Sequence, residues 1–176
     1  ACARRPAGQL VPTVLELPPP GGAPGAKPTR YQFDHVFEAA ASQRDVYAEV
    51  SPLVQSALDG HNVTILAYGQ TGSGKTHTMQ GPVGPDEEAR GITPRAVENL
   101  FARADELRAL GWHLAFELSC LEVYNDKARD LLGECKDLRI VDTGGRSSLP
   151  QLVAAEVGSA DAVAPQLQRA GRARGA

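Results

Sequence analysis

Apolar residues recur along this 176-residue chain with two periods, and each change of period marks a new element. Tyr31-Gln32-Phe33-Asp34-His35-Val36-Phe37 alternates apolar and polar positions, which predicts a strand. Ser42-Gln43-Arg44-Asp45 then opens a helix with Ser42 at the N-cap. Val46, Val50, Leu53, Val54, Ala57 and Leu58 trace its apolar face, and Gly60 closes it. Pro52 inside that stretch is expected to bend or restart the helix. Asn62-Val63-Thr64-Ile65-Leu66-Ala67-Tyr68 is a short apolar run rich in β-branched residues, the pattern of a buried parallel strand. Thr76 to Gln80 carries no breaker and can open the next helix. Residues 31–81 therefore read as β-α-β-loop-α with a parallel sheet implied.

Beyond this unit, Gly81 to Gly91 is a polar loop with two prolines and an acidic pair. Thr93-Pro94 marks a helix start, with proline in the first turn. Ala96, Val97, Leu100, Phe101, Ala104, Leu107 and Leu110 keep helical spacing until Gly111 stops the run. His113 to Tyr124 alternates as a strand, Asn125 to Leu132 reads as a short helix or turn, and Leu138–Asp142 and Leu152–Val157 read as weaker strands. Ser159 to Gly171 reads as a helix interrupted by Pro165. Phe101 and Trp112 lie on apolar patterns and are expected in the core. The stretch 17–28, rich in proline and glycine, is a loop or linker.

Composition narrows the class. Hydrophobic residues at 42% and charged residues at 22% are ordinary for a soluble domain, and the length suffices for one sizeable core. A formal net charge of −3 carries no footprint for nucleic acid. No apolar run approaches the roughly 20 residues of a membrane span, so no membrane partner is expected. The opening Ala-Cys-Ala-Arg-Arg-Pro has no apolar segment behind it and is not read as a signal peptide. Cys2, Cys120 and Cys135 form neither a disulfide framework nor a metal pair, which fits a reducing, intracellular compartment.

The chemistry is concentrated in Gly69-Gln70-Thr71-Gly72-Ser73-Gly74-Lys75-Thr76, a complete G-x-x-x-x-G-K-[ST] loop between a strand pattern and a helix pattern. Glycines allow successive backbone N–H groups to converge on anionic oxygens. Lys75 is placed to reach the β- and γ-phosphates of a nucleotide, and the Thr76 hydroxyl to ligate magnesium. A surface turn rich in Gly, Ser and Thr is the bland alternative, and the flanking strand and helix patterns argue against it.

Several segments in order resemble the kinesin motor domain. Ala67 to Met79 matches Y-G-Q-T-x-x-G-K-T-x-T-M, and Phe33 to Phe37 resembles the F-x-x-D-x-V-F region. Gly91-Ile92-Thr93-Pro94-Arg95-Ala96 resembles G-I-x-P-R-A. Leu121 to Asp126 with Asp130-Leu131-Leu132 resembles E-I-Y-N-E…D-L-L. Ser51 to Gly60 is most similar to the C-terminal-motor, minus-end-directed class. The resemblance implies an α/β fold of the P-loop NTPase type, three-layered around a mostly parallel central sheet, incomplete at its C-terminal side. It implies that residues 1–176 are part of a motor domain, with ATP and Mg2+ as cofactors. His77 would then lie near the adenine. Arg5 and Pro6 would flank the base, although Ala3 stands where the family's R-x-R-P element has its first arginine. Implied with these are microtubules as partner, a cytoplasmic, cytoskeletal location, and dimerisation through a coiled coil outside this sequence.

The family's switch motifs, N-x-x-S-S-R-S-H and D-L-A-G-S-E, do not occur in these 176 residues, and its main microtubule-binding elements follow them. The expectation is ATP binding with poor hydrolysis, and no catalytic residue is assigned. A non-motile nucleotide-binding remnant or interaction module is the alternative. The same shortfall implies an unpaired central strand edge and marginal stability. Leu138 to Gly145 ends in D-x-x-G, as in small GTPases, with Asp142 and Gly145 as the candidate magnesium and phosphate residues. No N-K-x-D guanine-reading motif follows, and a surface turn is expected instead. Glu122, Asn125 and Asp126 read as strand-end and turn residues rather than a catalytic cluster. Arg169, Arg172 and Arg174 read as a basic helix end rather than a patch for acidic tubulin.

Overall fold

The computed structural model describes residues 13–18, 27–82, 84 and 86–174, and these divide into two compact units, Ala1–Ala96 and Val97–Ala176. Arg5, Pro6 and Cys2 lie outside the described residues, as does most of the 17–28 stretch.

In the first unit β1 (Val14–Leu17) pairs antiparallel with β2 (Thr29–Gln32). The strand predicted from Tyr31 thus begins earlier and leaves its ladder after Gln32, where the Phe33 N–H still donates to the Thr13 carbonyl at 2.7 Å. Helix α1 (Gln43–Leu58) starts as its sequence dictates. The Ser42 hydroxyl accepts from the Asp45 N–H, and the Asp45 carboxylate accepts from the Ser42 N–H at 2.9 Å, a reciprocal capping box. Pro52 neither ends nor restarts α1. Its missing N–H would orphan the Ala48 carbonyl, and the neighbouring Ser51 hydroxyl donates to that oxygen at 3.1 Å. Helix α2 (Lys75–Met79) follows the glycine loop directly, and α3 (Ile92–Ala109) begins beyond the 81–91 loop.

Residues 62–68 keep the alternation of a strand. Val63, Ile65 and Ala67 are half-buried, while Leu66 and Tyr68 are 82% and 95% exposed. Among the described residues, however, this run belongs to no ladder, and every ladder present is antiparallel and two-stranded. Parallel pairing needs a neighbour brought alongside by a crossover, and periodicity reports only which side of a segment is dry. The apolar face at Leu66 and Tyr68 is therefore open.

In the second unit β3 (Glu117–Leu118) pairs with β8 (Ala155–Glu156), and β4 (Leu121–Tyr124) pairs with β5 (Lys127–Asp130). A third ladder joins β6 (Val141–Thr143) to β7 (Arg146–Ser148). The segment 125–132, read as a helix or turn, is in fact a tight turn leading into β5. Asn125 and Asp126 both have positive φ, 48° and 59°, the conformation that a two-residue hairpin demands and that Asn and Asp tolerate. Helix α4 (Ala160–Ala173) runs through Pro165, which stands in its first turns. Its buried Val163 joins Phe101 and Val157 in one cluster, with Phe116 tilted against Phe101 at a centroid distance of 4.8 Å. Ala170 on the same helix packs with Leu131 and Leu132. Phe101 is core, as expected, whereas Trp112 is 62% exposed. Gly111, at φ 91°, turns the chain at the end of α3, so Trp112 no longer lies on the helical stripe.

Asp130 organises the end of β5. Only 7% exposed, its carboxylate accepts from the Leu132 N–H at 2.9 Å and from the Val153 N–H at 2.8 Å. Burial works against its charge, yet the Val153, Gly133 and Leu132 amides and the Arg169 guanidinium prevail and hold the carboxyl below its usual range. A depressed carboxyl contributes stability above its unfolded pKa of about 3.9, and that contribution is lost as pH falls through the lower folded value. Asp130→Ala should cost about 2–3 kcal/mol at pH 7, because buried amides lose a charged acceptor. Urea denaturation at pH 7 and below pH 3 checks this: the penalty should shrink at the acid end, and an equal penalty at both would contradict it.

Candidate functional site

The loop 69–76 lies in the first unit, directly ahead of α2. Gly72 and Gly74 adopt φ of 82° and 95°, left-handed values that let the chain curl without a Cβ penalty. Gly69, at φ 156°, also holds backbone that L side chains rarely adopt, and a Cβ there would stand 2.5 Å from the Ser73 hydroxyl, which would have to swing aside. The Ser73 N–H donates to the Gln70 carbonyl at 3.2 Å, closing the turn. Lys75 folds back across the loop, its ammonium donating to the carbonyls of Gly69 at 2.8 Å and Gln70 at 2.7 Å. An ammonium has three donors, so one remains for an anion.

Thr71, Gly72, Gly74, Lys75, Thr76 and His77 line an open cavity of about 450 Å³. These residues fit a polyphosphate: a curled glycine backbone, a fixed positive charge and an exposed Thr76 hydroxyl face one space. Among the described residues no group of three or more His, Cys, Asp or Glu side chains can hold a metal. The Thr76 hydroxyl is the group of this loop that would hold a magnesium ion.

Sequence reasoning singled out His77 but missed the residue that holds it. Gln43, 9% exposed at the start of α1, donates its amide to the His77 carbonyl at 2.6 Å and lies 3.1 Å from His77 Nδ1. A polar residue directly after an N-cap carries no pattern that announces a contact with a residue 34 positions away. Arg95 was also missed as a tether, although it lies within the quoted Gly91–Ala96 motif. Its guanidinium donates to the carbonyls of Arg90 at 2.9 Å, Glu87 at 3.0 Å and Glu88 at 2.9 Å, while Glu88 meets Arg44 of α1 at 2.8 Å.

The remaining candidates have structural roles. Asp142 accepts from the Ser147 hydroxyl across the β6–β7 hairpin, and Gly144 and Gly145 form its exposed turn with positive φ. Glu122 meets Arg174 at 3.4 Å, and Arg169 faces Asp130, so two of the three helix-end arginines have acidic neighbours.

Gly91 closes the loop that follows α2. Its N–H donates to the Gln80 carbonyl at 3.1 Å, and an added Cβ would stand 2.6 Å from the Thr78 carbonyl oxygen and 2.7 Å from the Gln80 and Gly81 nitrogens. All three neighbours are backbone and cannot swing aside. Gly91→Ala should cost about 1–3 kcal/mol in urea denaturation and speed proteolytic cleavage between residues 81 and 91. Unchanged stability and cleavage would contradict this reading.

A family model for the kinesin motor domain matches residues 22–176. Carboxy-terminal kinesin 2 of Xenopus laevis is 53% identical over 102 residues, covering 58% of this chain and 16% of that protein. Kinesin-like protein KIFC1 of Homo sapiens is 49% identical over 126 residues, covering 65% of this chain and 19% of that one. Kinesin-like protein KIN-14M of Arabidopsis thaliana is 51% identical over 115 residues, covering 65% of this chain and 15% of its own length. The chain thus spans less than a fifth of these three relatives. A solved structure of a fast kinesin, described for its ATPase mechanism and interactions with microtubules, superposes with a TM-score of 0.75 at 32% identity. That match covers 84% of this chain and 42% of the other.

Proposed function

The chain belongs to the kinesin motor-domain family, and from that premise we propose that residues 1–176 supply the ATP-binding part of a microtubule-based motor ATPase. Its fold is accordingly α/β of the P-loop NTPase type. The observation that carries the functional reading is the Lys75 ammonium held over a left-handed glycine loop, with Thr76 and His77 lining the same cavity.

In this reading Gly69, Gln70, Thr71, Gly72, Ser73 and Gly74 wrap the phosphates with backbone N–H groups. Lys75 neutralises the β- and γ-phosphates, and Thr76 offers its hydroxyl to magnesium. A magnesium ion held at the Thr76 hydroxyl would supply positive charge to offset that of the phosphates. His77 lies toward the base, and Arg5 and Pro6 are proposed as its further neighbours. Similarity to carboxy-terminal kinesins supports microtubules as the track and a cytoskeletal location. No helix among the described residues is long and apolar enough to cross a membrane.

Positioning and charge stabilisation dominate phosphoryl transfer, and the 176 residues contain neither family switch motif. They are accordingly expected to bind nucleotide far better than they hydrolyse it. Titration calorimetry should show magnesium-dependent ATP binding by this polypeptide, weakened at least about 100-fold by Lys75→Ala. Microtubules should not stimulate turnover by these residues alone. ATP binding indifferent to Lys75→Ala would overturn the site, and microtubule-stimulated turnover would overturn the role given to the switches.

A further inference from the structure

We propose that Gln43 is a positioning residue for nucleotide recognition, acting through His77 by fixing both the orientation of its ring and the nitrogen that carries its proton. The inference rests on the nucleotide reading of the 69–76 loop and extends it to a residue outside that loop.

Three observations carry it. First, the orientation of the Gln43 amide is determined by its neighbours. The atom 2.6 Å from the His77 carbonyl oxygen must be the NH2 group, because two oxygens would repel there. Second, the same NH2 lies 3.1 Å from His77 Nδ1. An amide nitrogen only donates, so Nδ1 must accept, and the neutral ring carries its proton on Nε2. Third, the two partners differ in exposure. Gln43 is buried at the start of α1, whereas His77 is exposed and lines the phosphate-loop cavity. A buried amide thus grips one edge of an exposed ring from beneath, leaving Nε2–H as the ring's donor for a ligand.

The grip is pre-organised by the helix start. Ser42 and Asp45 satisfy each other's backbone N–H groups around Gln43, which holds the first turn of α1 in place. Gln43 bonds both the backbone and the ring of one residue, so ring rotation about the His77 side chain would forfeit the second contact. With the phosphates assigned to the glycine loop and Lys75, the fixed ring and its Nε2–H are left to meet the base of a nucleotide, where ring angle and donor identity matter. The predicted consequence is selective: removing the amide should weaken recognition of the base and spare the phosphate cradle.

Two measurements test this. Nitrogen-15 spectra of histidine-labelled chain should show His77 as the Nε2–H tautomer in the wild type and lose that tautomer's dominance in Gln43→Glu, where an acceptor replaces the donor. An Nδ1–H tautomer in the wild type would overturn the proposal without any nucleotide present. Separately, Gln43→Leu should lower ATP affinity about tenfold while leaving inorganic tripolyphosphate affinity unchanged, with no further loss when His77→Ala is added. Equal weakening of both ligands, or of neither, would overturn it. Failure of the wild-type chain to bind tripolyphosphate would instead overturn the phosphate-loop reading, while the tautomer measurement still decides the role of Gln43.

Discussion

The Lys75 ammonium, held by the carbonyls of Gly69 and Gln70, is the interaction on which the site depends. A full positive charge is fixed at the mouth of a loop whose glycines permit left-handed backbone that few other residues adopt. The two features need each other. Without the curled backbone the carbonyls would not converge on the ammonium, and without the ammonium the loop would lack its clamp. The neighbouring contacts preserve this geometry: Gln43 grips His77 in α2, Gly91 permits the loop after α2 to close, and Arg95 gathers the carbonyls of that loop.

The second unit is held by a different kind of constraint. Asp130 offers one charged acceptor to the amides of Leu132, Gly133 and Val153, linking the end of β5 to the segment before β8. Burial and that same charge raise the thiol pKa of nearby Cys120, which keeps it in its unreactive form. The apolar clusters around Phe101 and Leu131 then cover the inner face of α4. Stability here comes from packing organised around one buried carboxylate, with no chemistry assigned to it.

What was legible in the sequence depended on how local its signal was. The cap at Ser42, the glycine turn ahead of α2 and the stop at Gly111 are each written within a few residues, and each is found in the structure. The turn at Asn125-Asp126 was one of two readings of 125–132, and the positive φ of both residues decides for it, while the strand β5 that follows had no pattern to announce it. Trp112 was misplaced because its apolar side chain was assigned to the core although it follows the stop at Gly111, beyond the buried stripe. Whether 62–68 joins a ladder, which it does not among the described residues, and the Gln43–His77 contact both turn on partners distant in sequence, where composition and periodicity carry no information. The family resemblance placed His77 near the base, yet only side-chain geometry brings Gln43 into the site.

Amide hydrogen exchange across residues 69–77, compared with and without magnesium-ATP, tests the central claim most directly. Backbone N–H groups that close around phosphates must become protected, so exchange should slow from Gly69 to His77 and remain unchanged in the β6–β7 hairpin at Asp142 to Gly145. Unaltered exchange in the glycine loop at saturating nucleotide, or protection centred on the hairpin, would contradict the account.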